Sequence, residues 1–423
     1  MPYDIKNNQT ILKVVGDADV TNATINIGIW GGNSFINLTS GEAVKLIDAD
    51  NLVGTGKPGT FTASQGSTLK YDFTIYQDAD ILWAKLGGFS TGGTGGTGST
   101  SGSVSVVEGT KTLSEGFLSG LVSTNLGGEI STGAAFQAIQ AGGTGGVQSF
   151  GSVDAVHVRA NTGSHVDVDG YSLVVGASYG LGLGESSKLT LGGFFEYGNH
   201  DYDTYNSFPG ASLKGKGNST YTGGGLMAGT KFTQDGGGFA HVELALRAGH
   251  IKTDFRSTQL QDLTGVNASY DSSSTYYGVV LGGGKTFAFT QYSELDVYGK
   301  LFYTRQNGDT VNLSTGEEIK FSAVSSKRAR AGARYSHTLD NARRWTLYGG
   351  LAYEHEFDSK AKAKINGQHK IDSPDMKGGT GILEAGVRLK PKADGPFSLN
   401  LSVQGFSGKH QGVAGGIQAK LAF

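Results

Sequence analysis

Apolar and polar residues alternate to the end of this chain, in Gly416-Ile417-Gln418-Ala419-Lys420-Leu421-Ala422-Phe423. Ile417, Ala419, Leu421 and Phe423 fall on one side; Gly416, Gln418, Lys420 and Ala422 fall on the other. A period of two marks a β-strand with one apolar and one polar face. The pattern recurs from about residue 146, in twelve predicted strands near 146–159, 166–180, 187–202, 217–233, 238–254, 272–288, 292–305, 319–337, 343–357, 377–390, 396–407 and 412–423. Many have the ~9–11 residues that a tilted strand needs to cross hydrocarbon.

The two faces differ in kind. Leu189, Leu191, Gly193, Phe195 and Tyr197 oppose Lys188, Thr190, Gly192 and Glu196. Val242, Leu244, Leu246 and Ala248 oppose Glu243 and Arg247. Leu295, Val297, Gly299, Leu301 and Tyr303 oppose Glu294, Asp296, Tyr298 and Lys300. Trp345, Leu347, Leu351 and Tyr353 oppose Arg344, Thr346, Glu354 and Glu356, and Arg328, Arg330 and Arg334 share a face of the strand before. Phe397, Leu399, Leu401 and Val403 oppose Ser398, Asn400, Ser402 and Gln404. A soluble sandwich has the same period, but its apolar face must meet another apolar face. Charges of both signs on the opposite face instead predict a hydrated lumen lined by ion pairs, with the apolar face toward lipid. On that reading, charge reversal at Arg330 or Glu354 costs less than an arginine at Leu301. Tyr179, Tyr197, Tyr303, Trp345 and Tyr353 lie near strand ends, where interfacial aromatics belong.

The connections alternate in length. Leu183–Ser187, Gln234–Gly237, Thr290–Gln291, Asp340–Ala342 and Pro391–Gly395 are tight, whereas Asp203–Lys216, Phe255–Tyr270, Gly308–Glu318 and Asp358–Met376 are long and polar. Short periplasmic turns and long extracellular loops are the habit of outer-membrane barrels.

Before the strands lies a helical stretch over 110–141. Leu113, Phe117, Leu118, Leu121, Val122 and Leu126 form a helical stripe. Gly127-Gly128 is expected to stop this helix, and Ala134, Ala135, Phe136, Ala138 and Ile139 predict a second, short one. Such a slim, mildly polar helix fits a narrow wet tube; periodicity alone equally allows an amphipathic helix on a soluble surface. Residues 1–88 carry short apolar runs between turn residues, such as Ile11-Leu12-Lys13-Val14-Val15 and Thr24-Ile25-Asn26-Ile27-Gly28-Ile29-Trp30. This predicts short strands in stacked coils, a β-solenoid-like segment, with a small β-sandwich fragment as the alternative. Leu69 to Ile75 alternates well and reads as part of a terminal cap. Gly87 to Ser103 has the composition of a flexible linker.

Composition narrows the class. Of 423 residues 70 are Gly and 6 are Pro, against a usual Gly share of about 7%. With many Tyr and Phe, this favours strands and turns over long helices. A net charge of −2 implies no general attraction to nucleic acid, and the absence of Cys removes disulfide and thiolate chemistry. No run approaches the ~20 apolar residues of a membrane helix, which leaves barrels open. Residues 1–30 do not read as a signal peptide.

The order of these parts resembles the C-terminal half of a monomeric autotransporter. Glu108-Gly109-Thr110-Lys111-Thr112-Leu113-Ser114-Glu115-Gly116-Phe117 is similar to the family's helical-linker entry, and Asp167 to Ala177 to its second-strand region. Gly416, Ala419, Leu421 and Phe423 are similar to the family's terminal signal for the barrel assembly machinery. The resemblance implies an all-β fold: a 12-stranded antiparallel transmembrane barrel over 144–423 with a pore helix over 110–143, carrying Leu113, Phe117, Leu121 and Val122. It further implies a linker over 89–109 and a β-helical passenger stub over 1–88, with residues 60–86 in the autochaperone position. The implied setting is the outer membrane of a Gram-negative bacterium, as a monomer, with the N-terminal segment at the cell surface. Outer-membrane lipid, the assembly machinery, periplasmic chaperones and the chain's own passenger are the implied partners. The Asn-Asn pair of one self-cleaving subgroup is missing from 110–141.

No cofactor or catalytic chemistry is expected. Gly282-Gly283-Gly284-Lys285-Thr286 lacks the upstream Gly and the strand-loop-helix context of a phosphate loop. On a strand, His355 points away from Glu354 and Glu356, so the three make a poor metal site, and both carboxylates are expected to pair with lumen arginines. His200, Asp201 and Asp203 are expected in a solvated loop mouth. No Gly-x-Ser-x-Gly elbow occurs. Two other readings compete with secretion: a porin-like channel with an N-terminal accessory domain, and a soluble all-β adhesin module.

Overall fold

A computed structural model describes residues 1–31, 35–55, 59–87, 104–141, 145–184, 186–208, 211–233, 238–339, 344–392 and 395–423. Most of the expected linker, the end of the helical segment at 142–143 and the turns at 234–237 and 340–342 lie outside the described residues.

The chain begins with β1 (Thr10–Asp19), β2 (Gly28–Ile29), β3 (Ala43–Val53), β4 (Gly59–Gln65), β5 (Leu69–Asp78), β6 (Ile81–Leu86) and β7 (Val104–Val106). A short helical turn, Glu108–Thr110, leads into α1 (Lys111–Ala141). Then follow β8 (Val147–Asn161), β9 (His165–Gly182), β10 (Ser187–Phe208), β11 (Ala211–Thr233), β12 (Phe239–Gln261), β13 (Asn267–Thr290), β14 (Ser293–Gln306), β15 (Asp309–Asn312) and β16 (Glu318–Phe321). The last are β17 (Val324–Thr338), β18 (Trp345–Asp358), β19 (Ala363–Ile365), β20 (His369–Ile371), β21 (Gly378–Leu389), β22 (Phe397–Gly408) and β23 (His410–Ala422).

Twelve of these strands close into an antiparallel barrel, in the order β10-β11-β12-β13-β14-β17-β18-β21-β22-β23-β8-β9. Closure is made by the chain's final strand: β23 pairs with β8 from His410↔Ala160 to Ala422↔Gln148, and Phe423 N–H donates to Val147 O at 2.8 Å. No edge is left inside a bilayer.

The outside carries the apolar face. Leu191, Leu246, Leu301, Leu351, Leu383, Val403 and Ile417, from seven strands, are all exposed. A water-soluble monomer does not expose so continuous an apolar belt. Aromatics border it: Tyr171, Tyr197, Tyr277, Tyr303 and Tyr353 toward one rim, and Tyr179, Phe287, Tyr335 and Trp345 toward the other. Trp345 and Tyr353 sit at the two levels of β18. Their separation is roughly 26 Å of strand, or about 20 Å of height at the usual tilt of about 35–45°, within the ~25 Å apolar band of outer-membrane barrels.

The two rims differ. The lower rim carries the short link from Thr290 to Ser293, the C-terminal end of α1 and Phe423. The upper rim carries the short links from Asn161 to His165 and from Gly408 to His410, the segments between β14 and β17 and between β18 and β21, and the N-terminal end of α1. Two of the expected long loops are strand instead. β10 and β11 stay in register up to Phe208↔Ala211, and β12 and β13 pair as far as Gln261↔Asn267. The other two, over 308–318 and 358–376, contribute to a four-stranded sheet in the order β15-β16-β19-β20.

The N-terminal sheet has the order β1-β3-β6-β5-β4-β2, with β7 on β5. β1 lies parallel to β3 and β2 parallel to β4, while β4, β5 and β6 form an antiparallel meander. Its core of Leu69, Tyr71, Phe73 and Leu86 is continuous with Ile319, Phe321, Ile365 and Met376 of the upper-rim segments, and through Phe321 with the first turns of α1.

Candidate functional site in the barrel lumen

The lumen is filled by α1, one continuous helix where two were expected. Leu113, Phe117, Leu121 and Val122 are 0–1% exposed, and Phe117 stacks on Phe321 at 4.6 Å. The polar face is covered as well: Thr112, Ser114, Glu115, Ser119, Ser123, Thr124 and Ser131 are buried. A helix on a soluble surface would leave that face wet. Some of these hydroxyls bond the helix's own backbone: Thr124 Oγ1 donates to Leu121 O at 3.0 Å and Ser131 Oγ to Gly127 O at 3.0 Å, whereas Ser114 Oγ and Ser123 Oγ have no such bond.

Gly127 and Gly128, which looked like a stop signal, are a notch. A Cβ on Gly127 would lie 1.6 Å from Tyr221 Oη, and one on Gly128 would lie 2.2 Å from Arg247 Nη1. The barrel side chains occupy the space that side chains on the helix would need. Glycine costs about 1 kcal/mol inside a helix, and here the close approach offsets that cost.

Polar contacts tie the helix to the wall at four heights. Near the upper rim, Glu115 accepts from Thr162 Oγ1 at 2.7 Å, Asn206 Nδ2 at 2.5 Å and Ser164 Oγ. Lys111 Nζ donates to Ser164 Oγ at 2.7 Å, and Tyr270 Oη to Leu113 O at 2.8 Å. At the notch, Glu196 accepts from Arg247 Nε at 2.9 Å, Tyr276 Oη at 2.7 Å and Ser131 Oγ at 2.8 Å. Arg247 Nη1 also donates to Thr124 O at 2.6 Å. Across the lumen, Glu129 accepts from Arg330 Nη2 at 2.5 Å and from Arg328 Nη1. Glu354 accepts from the same two arginines, at 2.7 Å and 3.2 Å. Near the lower rim, Gln140 Nε2 donates to Glu243 Oε1 at 2.8 Å and Gln418 Nε2 to Ala134 O at 3.0 Å.

The remaining sequence-selected charges sort as follows. Arg334 forms two bonds to Glu384, at 2.6 Å and 2.9 Å. Asp296 lies 3.2 Å from His241 Nε2, and Lys300 sits over the Phe136 ring at 5.4 Å. Glu294 is half-buried at the start of β14. Glu356 does not pair with an arginine; it accepts from Ser326 Oγ at 2.5 Å and Lys327 N–H at 2.8 Å. Arg344, expected in the lumen, is exposed at the lower rim, because β18 begins one residue after it, at Trp345. His200 is also misplaced by the sequence. It is buried inside the barrel wall 3.4 Å from Ser172 Oγ, since β10 continues through the expected loop. Gly282-Gly283-Gly284 lies within β13, and His355 Nδ1 meets Tyr353 Oη at 3.3 Å, away from both neighbouring carboxylates.

The sequence pattern places Glu196 on the lumen face and Glu115 in the linker-entry stretch without assigning either a partner, and it does not single out Glu129, Tyr221 or Tyr276. The one available signal was that Lys111, Glu115 and Glu129 are the only charges in α1. A helix with three charges, each meeting the wall, is matched to that wall.

At the terminal strand, Gly416 faces inward opposite Asp154, and a Cβ there would lie 1.8 Å from Asp154 Oδ1. Ala419 and Leu421 are half-buried, and Phe423 is 76% exposed. Between α1 and the wall from β14 through β23 to β8 lies a cavity of about 110 Å³, lined among others by Glu129, Lys300, Arg334 and Glu384.

Residues 147–404 match the family described as autotransporter beta-domain. The autotransporter adhesin/invasin TibA of Escherichia coli O78:H11 is 30% identical over 210 residues, 49% of this chain and 20% of that protein. The chain therefore spans about a fifth of that relative's length. The β-domain of the Bordetella autotransporter BrkA has a TM-score of 0.52 and 17% identity, over 66% of this chain and 100% of that one. The translocator domain of NalP from Neisseria meningitidis has a TM-score of 0.52 and 14% identity, over 71% and 96%. Both structures speak for the fold.

Proposed function

Given that the chain belongs to the autotransporter β-domain family, we propose that its lumen is the route by which residues N-terminal to α1 reach the cell surface, with α1 left behind as a plug. The barrel is an outer-membrane translocator with no catalytic role. The observation that carries the plug is the threading of α1: it enters at the upper rim beside residues 1–87 and stays bonded to the wall at four heights. A free-running channel would not need so matched an occupant, and a soluble adhesin would not need the apolar belt.

Residues 1–87 are the end of a β-solenoid passenger. Parallel pairing supports this, because Thr10 lies beside Lys45 and Gly28 beside Ser64, separations of one coil each. The antiparallel β4–β6 meander then closes the stack, as a terminal cap does. Gly416, Ala419, Leu421 and Phe423 present the assembly signal, read by the barrel assembly machinery after delivery by periplasmic chaperones. The working unit is a monomer, since the lumen is filled by its own chain.

Display is tested by an epitope placed before Met1 in a chain exported to the periplasm. Antibody binding to intact cells is expected. Binding only after permeabilisation of the outer membrane overturns the reading.

A further inference from the structure

Glu317 is a fully buried carboxylate in the turn between β15 and β16, and its partners are neutral donors from the β4–β5 turn and from Thr315. Its Oε1 accepts from Ser67 N–H at 2.6 Å, Thr68 Oγ1 at 2.9 Å and Ser67 Oγ at 3.3 Å. Thr315 Oγ1 donates to Oε2 and lies 3.0 Å from Ser67 Oγ. Gly66 has φ +55°, and a Cβ there would lie 2.3 Å from the carboxylate. The β4–β5 turn thus has the backbone shape, the small first residue and the two hydroxyls that this carboxylate requires. Thr68 O in turn accepts Val107 N–H at 2.9 Å, just ahead of α1.

A buried carboxylate is costly unless its donors are all present, and bonds to an ionised acceptor are the strong ones. Without residues 66–68, Glu317 would stand in water at the upper rim, hydrated and open. Docking the turn replaces that water with fixed donors. It also joins Leu69, Tyr71 and Phe73 to the buried cluster that holds Ile319, Phe321 and Ile365.

We propose that the four-stranded upper-rim sheet is a folding template for the emerging chain, with Glu317 as the receptor for the Gly66–Thr68 turn. Capture of the turn sets the β4–β6 meander in place first, and the parallel coils β1–β3 and β2–β4 order upon it. The proposal rests on the reading of residues 1–87 as an exported passenger end. It adds a specific receptor, Glu317, on the barrel's own hairpin.

The test refolds the full chain into detergent micelles and follows two events. Barrel formation is read from the shift in electrophoretic mobility of unheated samples; ordering of residues 1–87 is read from the onset of protease resistance. Glu317→Ala is expected to slow the second event at least tenfold and leave the first unchanged. Gly66→Ala, which leaves the barrel's own sequence intact, is expected to do the same, and the double variant to be no slower than either single one. Ordering at the native rate in Gly66→Ala, or additive slowing in the double variant, overturns the template. If the epitope before Met1 stays hidden on intact cells while both variants order slowly in micelles, the display reading fails and the template stands. A displayed epitope with ordering at the native rate is the converse.

Discussion

At the scale of single residues, the lumen turns on where side chains are absent. Gly127→Ala would normally strengthen a helix by up to about 1 kcal/mol. Here the added methyl meets Tyr221 Oη, so the variant is expected to lose about 1–3 kcal/mol through overpacking. A thermal melt of the detergent-solubilised barrel reads this, and adding Tyr221→Phe should recover part of the loss, because it removes the clashing oxygen. Charges in the wall follow the same local logic. Sequence alone ranks Leu301→Arg as worse than reversal of Arg330. The bonds of Arg330 to both Glu129 and Glu354 lead us to expect the opposite ranking. Arg330→Glu would place three carboxylates together and is expected to cost about 3–5 kcal/mol, the usual loss for a broken buried pair. Leu301→Arg, one outward position from the rim aromatic Tyr303, is expected to cost less than an arginine at the midplane, which costs about 2–4 kcal/mol. Urea unfolding of both variants in lipid vesicles ranks them; a larger loss for Leu301→Arg would contradict the wall geometry described.

At the scale of elements, the barrel strands were legible because each has unlike neighbours on its two faces. Leu244 must meet lipid and Glu243 must meet the lumen, so a period of two is written into the composition. The hairpin ends above the membrane were not legible for the converse reason. Tyr202, Thr204 and Asn206 point inward toward α1 while Asp201, Asp203 and Ser207 point to water, and polar residues on both faces read as loop. The helix was divided at Gly127-Gly128 because capping rules assume solvent beyond the last turn. Inside a tube, the wall supplies the partners that would otherwise end a helix. The terminal strand carries a prediction of its own. Removing Phe423 deletes one outward aromatic and one bond to Val147 O, a small fraction of the β23–β8 ladder. The truncated chain should therefore refold in detergent much as the full chain does, yet accumulate poorly in the outer membrane of cells. Equal accumulation of both forms would remove the sorting role from Phe423.

At the scale of the whole molecule, the sequence held the parts and their order, and the structure supplies their fit. No local pattern says that Glu129 of the helix falls opposite Arg328 and Arg330, because that match exists only after twelve strands have closed. The fit has a measurable consequence. α1 leans on the β8–β12 side and bridges to β17 through Glu129. α1 fills the lumen, and a cavity of about 110 Å³ beside it has room for a few waters. The intact protein in a planar bilayer should thus pass only a small current. Deleting 111–141 should raise single-channel conductance by roughly an order of magnitude, since closure rests on the β8–β23 ladder and the wall pairs Arg330–Glu354 and Arg334–Glu384 survive without the helix. Glu129→Gln should give an intermediate result: the helix keeps its notch and its upper-rim bonds, and loses the tie to the far wall. An unchanged conductance on deleting the helix would mean that the wall collapses inward, and the plug would then be a scaffold for the barrel's shape.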